Sequence, residues 1–406
     1  MDTVTKPCSS LALFSFLGYS HPFFAQIRDF EQRIRQSNAY AIMKSLQAQG
    51  LTTSVHAEIK SVLYENRRLL DRFYYSIQFP NPELPGGWYG WSLHYTRQDG
   101  VPKEYEFPHD PKLAHLARFI DAPENREIKV LRYVPLRRVT FIRPGRNLSP
   151  DLIGKLKKPN RAQEGYRRLT DISAICSGSD VTVPSPVSLD SDQAIFYQTL
   201  VPGEEVTHLL NDENYRKLMA DIGNLHGELG KWPIPGDKRW DRGGIKKNLS
   251  MDLDEIVFYL PENTDFINKI GQWIKERQNK VVTVAETFCH GDFACSQILR
   301  HDSGWSVVDF DLAGMGDPYQ DMAMFITSLS HDVPLFQDRP ELLATATQDY
   351  LKCYQQSTEK LIDTDSFIWY RVCAEIYYLA LILKKDRFTP LAYQQAHDRM
   401  CKLTQI

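Results

Sequence analysis

From Pro22 to about Ile77 the apolar positions recur at helical spacing, as in Phe23, Ile27, Phe30 and Ile34 and later Val62, Leu63, Leu69, Leu70 and Phe73. This predicts a helical leader. Pro80, Pro82, Pro85, Gly86 and Gly87 then break any regular element, and Trp88 to Tyr95 and Glu104 to Phe107 flank a Gln98-Asp-Gly turn, which predicts a hairpin. Asp110 followed by Pro111 predicts the start of a short helix through Ile120. Residues 128 to 143 alternate in the strand manner on both sides of Val134-Pro-Leu-Arg-Arg138, and Leu152-Ile-Gly-Lys-Leu156 reads as a further strand. Asn160-Arg-Ala-Gln163 predicts a capping box opening a helix that carries Glu164, Tyr166 and Leu169. Ala194 to Leu200 closes the strand-rich section. Beyond Gly203 the period is helical, apart from a hairpin near 298 to 309.

The expected organisation is therefore α+β. A leader with a hairpin occupies 1–110, a β-rich lobe with one helix 111–200, and a mainly helical lobe 201–406. No internal repeat or low-complexity tract interrupts this order. The chain has 406 residues, 42% of them hydrophobic and 24% charged, which excludes disordered and fibrous classes. Seven cysteines without a C-x-x-C pair read as reduced thiols of a cytoplasmic protein. The apolar stretch Leu11 to Leu17 is too short, and lacks the exit sequence, for a signal peptide. The longest apolar run, Ile376 to Leu383, is bounded by Glu375 and Lys384-Lys385, so no membrane span is expected. The net charge of -3 conceals an asymmetry: residues 1–200 carry +6 and residues 201–406 carry -9. Arg132 to Arg168 alone holds 11 basic residues against Asp151 and Glu164. Neither sign covers the chain as a nucleic-acid partner would require.

The most informative stretch is HGDFACSQILRHDSGWSVVDFD, residues 290–311, followed by Leu-Ala-Gly-Met-Gly-Asp-Pro-Tyr-Gln-Asp321. Transfer of a phosphoryl group to a hydroxyl needs a carboxylate that orients the acceptor, oxygen ligands for a metal on the phosphates, and a cation on the remaining phosphates. Asp292 heads a loop; five residues on, Gln297 offers an amide oxygen, and seventeen residues on, Asp309 offers a carboxylate. A hairpin turn centred on Ser303 would set Gln297 opposite Asp309, and another turn type shifts the pairing by one. Such hard oxygen donors suit Mg²⁺. Val307, Val308 and Phe310 place Asp309 in an apolar segment, where an unpartnered carboxylate is expensive. Asp311 reads equally as a second metal ligand or as a structural acid. Asp317-Pro-Tyr-Gln320 reads as a helix cap with a capping box.

These residues resemble the H-G-D-x-x-x-x-N and I-D-F-D motifs of the aminoglycoside phosphotransferase and choline kinase family. Leu200-Val-Pro-Gly203 is similar to its inter-lobe hinge, and Ile222-Gly-Asn-Leu-His226 to its "LG..LA.LH" helix. The likeness runs from about residue 128 to 385. It implies a bilobal protein-kinase-like fold carrying an N-terminal helical extension, ATP and Mg²⁺ as cofactors, and a small-molecule hydroxyl acceptor. It also implies Asp292 as base, His290 as a neighbouring loop residue that is scaffold before it is acid or base, and Gln297, Asp309 and Asp311 around the metal. By the same resemblance the Asp321 carboxylate holds the 290–292 loop. Gln297 stands where most of the family has Asn, as it does in maltokinases. Leu152-Ile-Gly-Lys155 is similar to the V-A-I-K strand of kinases, which makes Lys155 the phosphate-binding cation with Glu164 as its partner. Lys157 shares that strand face and is the rival, and Glu164 has an alternative in Arg167 or Arg168. Gln198 and Leu200 mark the hinge that pairs with the nucleotide base. The turn between the first strands, Pro135-Leu-Arg-Arg138, has no glycine, so Arg137 or Arg138 is expected to supply charge in place of a backbone cradle.

The competing class is a nucleotide-binding regulatory module that has lost transfer. No H-E-x-x-H, zinc-spaced Cys/His set or G-x-S-x-G supports a zinc enzyme or a serine hydrolase. Asp252, Asp254, Glu255, Trp273 and Glu375 are acceptor-site candidates that sequence alone does not separate from ordinary surface and core residues.

Overall fold

The computed structural model describes residues 24–406 apart from 50, 52, 65–66, 146–149, 234–241, 283 and 385–388. Cys8, the 11–17 stretch and Lys385 lie outside the described residues. The chain opens with helices α1 (Phe24–Gln36) and α2 (Asn38–Ala48), the second capped by the Ser37 hydroxyl accepting from Tyr40 N. A four-stranded antiparallel sheet follows in the order β1 (Ser54–Tyr64), β2 (Arg67–Pro80), β3 (Trp88–Thr96) and β4 (Lys103–Glu106). The helical reading of 54–77 is thus corrected. Those residues pair along their length, β1 with β2 from Ser54↔Gln78 to Tyr64↔Arg67, and β2 with β3 from Arg72↔Thr96 to Pro80↔Trp88. The aromatic strand β3, one connection beyond β2, supplies ladder bonds and side-chain contacts that no local helix offers, so long-range pairing overrides the local period. The apolar face of this sheet, including Tyr75, Ile77, Phe79, Trp91 and Leu93, packs with Phe30, Ile34 and Met43 of the two helices and continues into the core of the C-terminal lobe. Trp88 instead joins the core of the N-terminal lobe. The extension therefore bridges both lobes.

Helix α3 is Leu116–Asp121, one turn and a half, and does not begin at Asp110. The Asp110 carboxylate is engaged elsewhere, as described below. The N-terminal lobe is a five-stranded antiparallel sheet of β5 (Lys129–Val134), β6 (Arg138–Arg143), β7 (Leu152–Lys157), β9 (Pro186–Asp190) and β10 (Ile195–Thr199) in the order β5-β6-β7-β10-β9. Across it lies α4 (Pro159–Cys176), with Pro159 at the first helical position. Lys158 is its N-terminal boundary residue, so Asn160 sits inside the first turn and makes no cap.

The short strands β8 (Val181–Thr182) and β11 (Glu204–Glu205) join a hairpin of β13 (Ile298–His301) and β14 (Gly304–Val307), while β12 (Thr287–Cys289) pairs with β15 (Gly314–Gly316). The C-terminal lobe is otherwise helical: α5 (Val206–Leu209), α6 (Tyr215–Leu229), α7 (Arg242–Tyr259), α8 (Thr264–Arg277), α9 (Pro318–Asp332), α10 (Pro334–Asp338), α11 (Leu342–Thr358), α12 (Thr364–Lys384) and α13 (Pro390–Thr404). By length and composition α12 could cross a membrane, but 83% of its apolar window is buried inside the protein. Six described cysteines, Cys176, Cys289, Cys295, Cys353, Cys373 and Cys401, are unpaired thiols.

Helices α6 and α11 approach closely because α6 carries Gly223 at the crossing, where a Cβ would lie 2.2 Å from the Tyr350 carbonyl oxygen. Alanine would gain about 1 kcal/mol of helix propensity, but the contact is with backbone and cannot rotate away. Gly223→Ala should therefore destabilise by about 1–3 kcal/mol net in urea unfolding. An unchanged midpoint would show that the two helices are free to separate at no cost.

Candidate active site

The catalytic-loop candidates sit between β12 and β13. Burial pushes the Asp321 carboxyl up to about 6, against the pull of two backbone donors. Those donors are His290 N at 2.5 Å and Gly291 N at 2.9 Å, so one buried side chain of α9 fixes the loop 30 residues upstream. His290 is itself 1% exposed. Its Nε2 lies 2.9 Å from the Val308 carbonyl and its Nδ1 accepts from Asp292 N at 3.3 Å, which assigns the proton to Nε2 and makes the ring a brace for the loop. Gly291 takes a φ of 82°, a conformation a side chain would resist. Behind the loop, Phe293 stacks on His226 at 4.6 Å, and His226 Nδ1 bonds the Tyr350 hydroxyl at 2.5 Å. Burial pushes the His226 ring down to about 3, so it stays neutral. Asp292 is half-buried at the mouth of this arrangement.

The hairpin register is Ile298↔Val307 through His301↔Gly304, because a two-residue turn, Asp302–Ser303, closes it. The pairing is the one shifted by one residue. Val308 N donates to the Gln297 carbonyl at 3.0 Å, and Gln297 faces Val308 across the ladder. Asp309 follows with a φ of 64°, a left-handed conformation that Asp tolerates better than most residues, and this turns its side chain out of the ladder direction. The Gln297 amide nitrogen turns toward Ser296 Oγ at 3.5 Å.

Opposite these residues, β7 presents Lys155 and Lys157 on one face, each 8% exposed. Lys155 Nζ lies 3.2 Å from Asp309 Oδ1 and Lys157 Nζ 2.5 Å from Asp311 Oδ2. Arg138 Nη1, at the start of β6, lies 3.9 Å from Asp309 and 3.6 Å from Asp311. Burial by itself would raise the Asp309 carboxyl, but Lys155, Arg138 and Lys157 outweigh it and hold Asp309 well below the usual carboxylate range. Asp311 is lowered too, by Lys155 and Lys157 against burial and the neighbouring Asp309 charge. Lys157 is lowered, chiefly by burial.

The carboxylate facing Lys155 is thus Asp309, not Glu164. Glu164 takes Arg168 at 3.3 Å, one of the two helix partners that were its alternative, and also Arg161 at 2.8 Å, while Arg167 pairs with Asp171. Arg168, read in sequence only as that surface partner, is buried and donates to the Ala313 carbonyl at 3.0 Å, tying α4 to the loop after Asp311. The signal for Arg168 and Arg138 was the concentration of positive charge between 132 and 168. Arg137 is exposed at the turn. Gln198 is buried in β10 and lines the same narrow cleft as Lys155, Phe196, Asp309 and Asp311. Leu200 is exposed at the lobe junction and is not among the cleft-lining residues. Asp317 caps α9 by accepting from Tyr319 N at 3.0 Å, but Gln320 Oε1 is buried without a partner, so the expected capping box is incomplete. Glu375 is not available to an acceptor: Arg399, Arg371 and His331 surround it.

Among the described residues no three His, Cys, Asp or Glu side chains are gathered around one point. The oxygen donors present are two carboxylates kept ionised by cations, with the Gln297 amide nearby in sequence. That set fits a hard divalent ion whose remaining ligands are phosphate and water.

The two-lobed fold, with a lysine-bearing sheet facing a carboxylate-bearing loop, is that of a kinase-like phosphotransferase. The chain belongs to the phosphotransferase enzyme family, whose model matches residues 137–358. Among solved structures it is similar to an aminoglycoside 2'-phosphotransferase IIIa variant in its GDP complex, at 17% identity over 71% of this chain and 93% of that one, with a TM-score of 0.48. It is also similar to the amicoumacin kinase hAmiN in complex with AMP-PNP, Ca²⁺ and amicoumacin, at 12% identity, 68% and 88% coverage and a TM-score of 0.48. A choline/ethanolamine kinase family protein from Mesorhizobium loti aligns at 13% identity, 71% and 93% coverage and a TM-score of 0.46. A comparison with curated protein sequences finds no match.

Proposed function

We propose that the protein transfers the γ-phosphoryl group of ATP to a hydroxyl of a small molecule, an amino alcohol, a sugar or an aminoglycoside-like compound, with the assistance of Mg²⁺. The observation that carries this reading is the pairing of Lys155 with Asp309 across the lobes at 3.2 Å, beside Lys157, Arg138 and Asp311. Three cations and two carboxylates at the mouth of one cleft serve no packing purpose, since burying them is costly. They match the needs of a triphosphate and its metal.

Asp309 and Asp311, with Gln297, are the residues that would hold Mg²⁺. When bound, the ion neutralises charge on the phosphates. Lys155 and Arg138 supply positive charge to the non-transferred phosphates, and Gln198 and the backbone beyond it toward Leu200 face the base. Asp292 accepts the hydrogen bond of the acceptor hydroxyl and takes its proton as the oxygen bonds to the γ-phosphorus and ADP departs. Asp321 and His290 keep Asp292 in place by fixing the loop backbone.

The test combines a thermal-shift measurement, with ATP plus Mg²⁺, and a coupled ADP-release assay over a panel of amino alcohols, sugars and aminoglycosides. Stabilisation together with acceptor-dependent ADP release supports the reading. Stabilisation without turnover on any acceptor points to a nucleotide-binding module, and no nucleotide-dependent shift defeats both.

A further inference from the structure

The turn between β5 and β6 leads directly into Arg138 and carries no glycine. Arg137 N donates to the Val134 carbonyl at 3.0 Å, closing a four-residue turn with Pro135 second and Leu136 third. Leu136 has a φ of 63°. This is the type II pattern, whose third position is normally glycine because of that positive φ. A leucine there holds the conformation only if the surroundings enforce it.

The enforcing group comes from the end of the extension. Asp110 is 5% exposed, and its Oδ2 accepts from Leu136 N at 2.7 Å and from the Tyr133 hydroxyl at 2.7 Å. Its Oδ1 accepts from Lys112 N at 2.8 Å. Both oxygens are therefore committed, and the Leu136 N–H points at Asp110 and not toward the cleft. Gly90 of β3 closes the contact from behind, since a Cβ there would meet Phe107 at 2.9 Å and Tyr133 at 3.5 Å. Two residues beyond Leu136, Arg138 extends to Asp309 and Asp311.

We propose that Asp110 is a positioning residue for the phosphate site: its carboxylate holds the glycine-free turn in its left-handed conformation and so aims Arg138 at the cleft. The N-terminal extension thereby sets the affinity for the triphosphate. This rests on the proposed phosphotransfer reading, in which Arg138 faces phosphates.

The experiment uses the full chain with Asp110→Asn and Asp110→Ala, each with and without Leu136→Gly. The single Asp110 variants should raise KM for ATP roughly tenfold, the equivalent of one lost charge-assisted contact, with kcat and the acceptor KM little changed. Leu136→Gly, which takes a positive φ freely, should return KM for ATP to within about threefold of the parent. If Asp110 served only to fasten the extension, both variants would melt earlier while KM for ATP in the folded enzyme stayed put. Leu136→Gly would then rescue nothing, and the proposal would be overturned. Amide hydrogen exchange at Leu136 is an independent readout: slow exchange in the parent and at least tenfold faster exchange in Asp110→Asn support the pin, and rapid exchange in the parent refutes it. A parent protein with a protected Leu136 amide and no nucleotide-dependent stabilisation would sink the phosphotransfer reading instead, and the exchange rates would still decide what holds the turn.

Discussion

Asp292→Ala should lower kcat by roughly 10²- to 10⁴-fold, the usual contribution of a positioned proton acceptor, while leaving the melting temperature and KM for ATP close to the parent's. The expectation follows from where the loop obtains its rigidity. Asp321 holds the amides of His290 and Gly291, His290 Nδ1 holds the amide of Asp292, and none of these bonds uses the Asp292 carboxylate. Its removal therefore leaves the backbone supported. Asp292→Asn is the sharper comparison, since it keeps size and one acceptor oxygen and loses only the ability to take a proton. It should be as impaired in kcat as the alanine variant. Steady-state kinetics at saturating ATP would check both, and full activity in either would remove Asp292 from the chemistry. Asp309→Ala should differ in kind, because it leaves Lys155 without its carboxylate and so perturbs the joint between the lobes as well as the proposed metal site.

Glu375→Ala should destabilise the protein by about 3–5 kcal/mol, a large fraction of the 5–15 kcal/mol typical of a folded domain. Glu375 is fully buried on α12. Arg399 of α13 grips both of its oxygens, at 2.9 and 3.0 Å, Arg371 one helical turn away lies at 3.5 Å, and His331 of α9 at 3.1 Å. Burial pushes the Arg371 guanidinium down, with Glu375 opposing it. Removing the carboxylate would strand the buried Arg371 and the partly buried Arg399 guanidinium groups, and leaving a charge unpaired costs more than the pair itself contributes. Urea denaturation of Glu375→Ala and Glu375→Gln would measure it; a loss under about 1 kcal/mol would mean that water reaches the arginines.

The pH dependence has a defined sign. Burial alone would raise Glu375, but Arg399 and His331 outweigh it and hold the carboxyl well below its ordinary range. Its folded value is therefore depressed. The stabilisation is complete above the unfolded value of about 4.3 and is lost as pH falls further. The gap between the parent and Glu375→Gln should be constant near neutrality and narrow below about pH 4.

Much of the site was legible because its parts are close in sequence. The spacing from Asp292 to Asp309 spans a single loop and hairpin, and turn composition at 301–304 and apolar flanks are enough to fold it locally. The strands of the N-terminal lobe were likewise readable from their alternation, and Asp317 from its place before Pro318. Residues 54–77 were misread because apolar runs such as Val62-Leu63 and Leu69-Leu70 satisfy a helical period as well as a strand does. The alternation of Tyr75, Ile77 and Phe79 was present, but its meaning depended on the partner strand at 88–96.

What only the tertiary structure decided is the matching of charges across distance. The chain alone supplies Lys155, Lys157, Arg138 and Arg168 on one side and Asp309, Asp311 and Glu164 on the other, with nothing to say which meets which. The lobes bring Lys155 to Asp309 over 154 residues of separation and leave Glu164 to the arginines of its own helix. Glu375 passed from acceptor candidate to structural anchor for the same reason, and Asp110 from helix cap to clamp on the β5–β6 turn. Sequence determines which chemistry is available, because residue type and local spacing fix donors, acceptors and turns. Coulombic partners are chosen by the folded path of the chain, because an ion pair depends on distance and burial and is indifferent to the number of residues between its members.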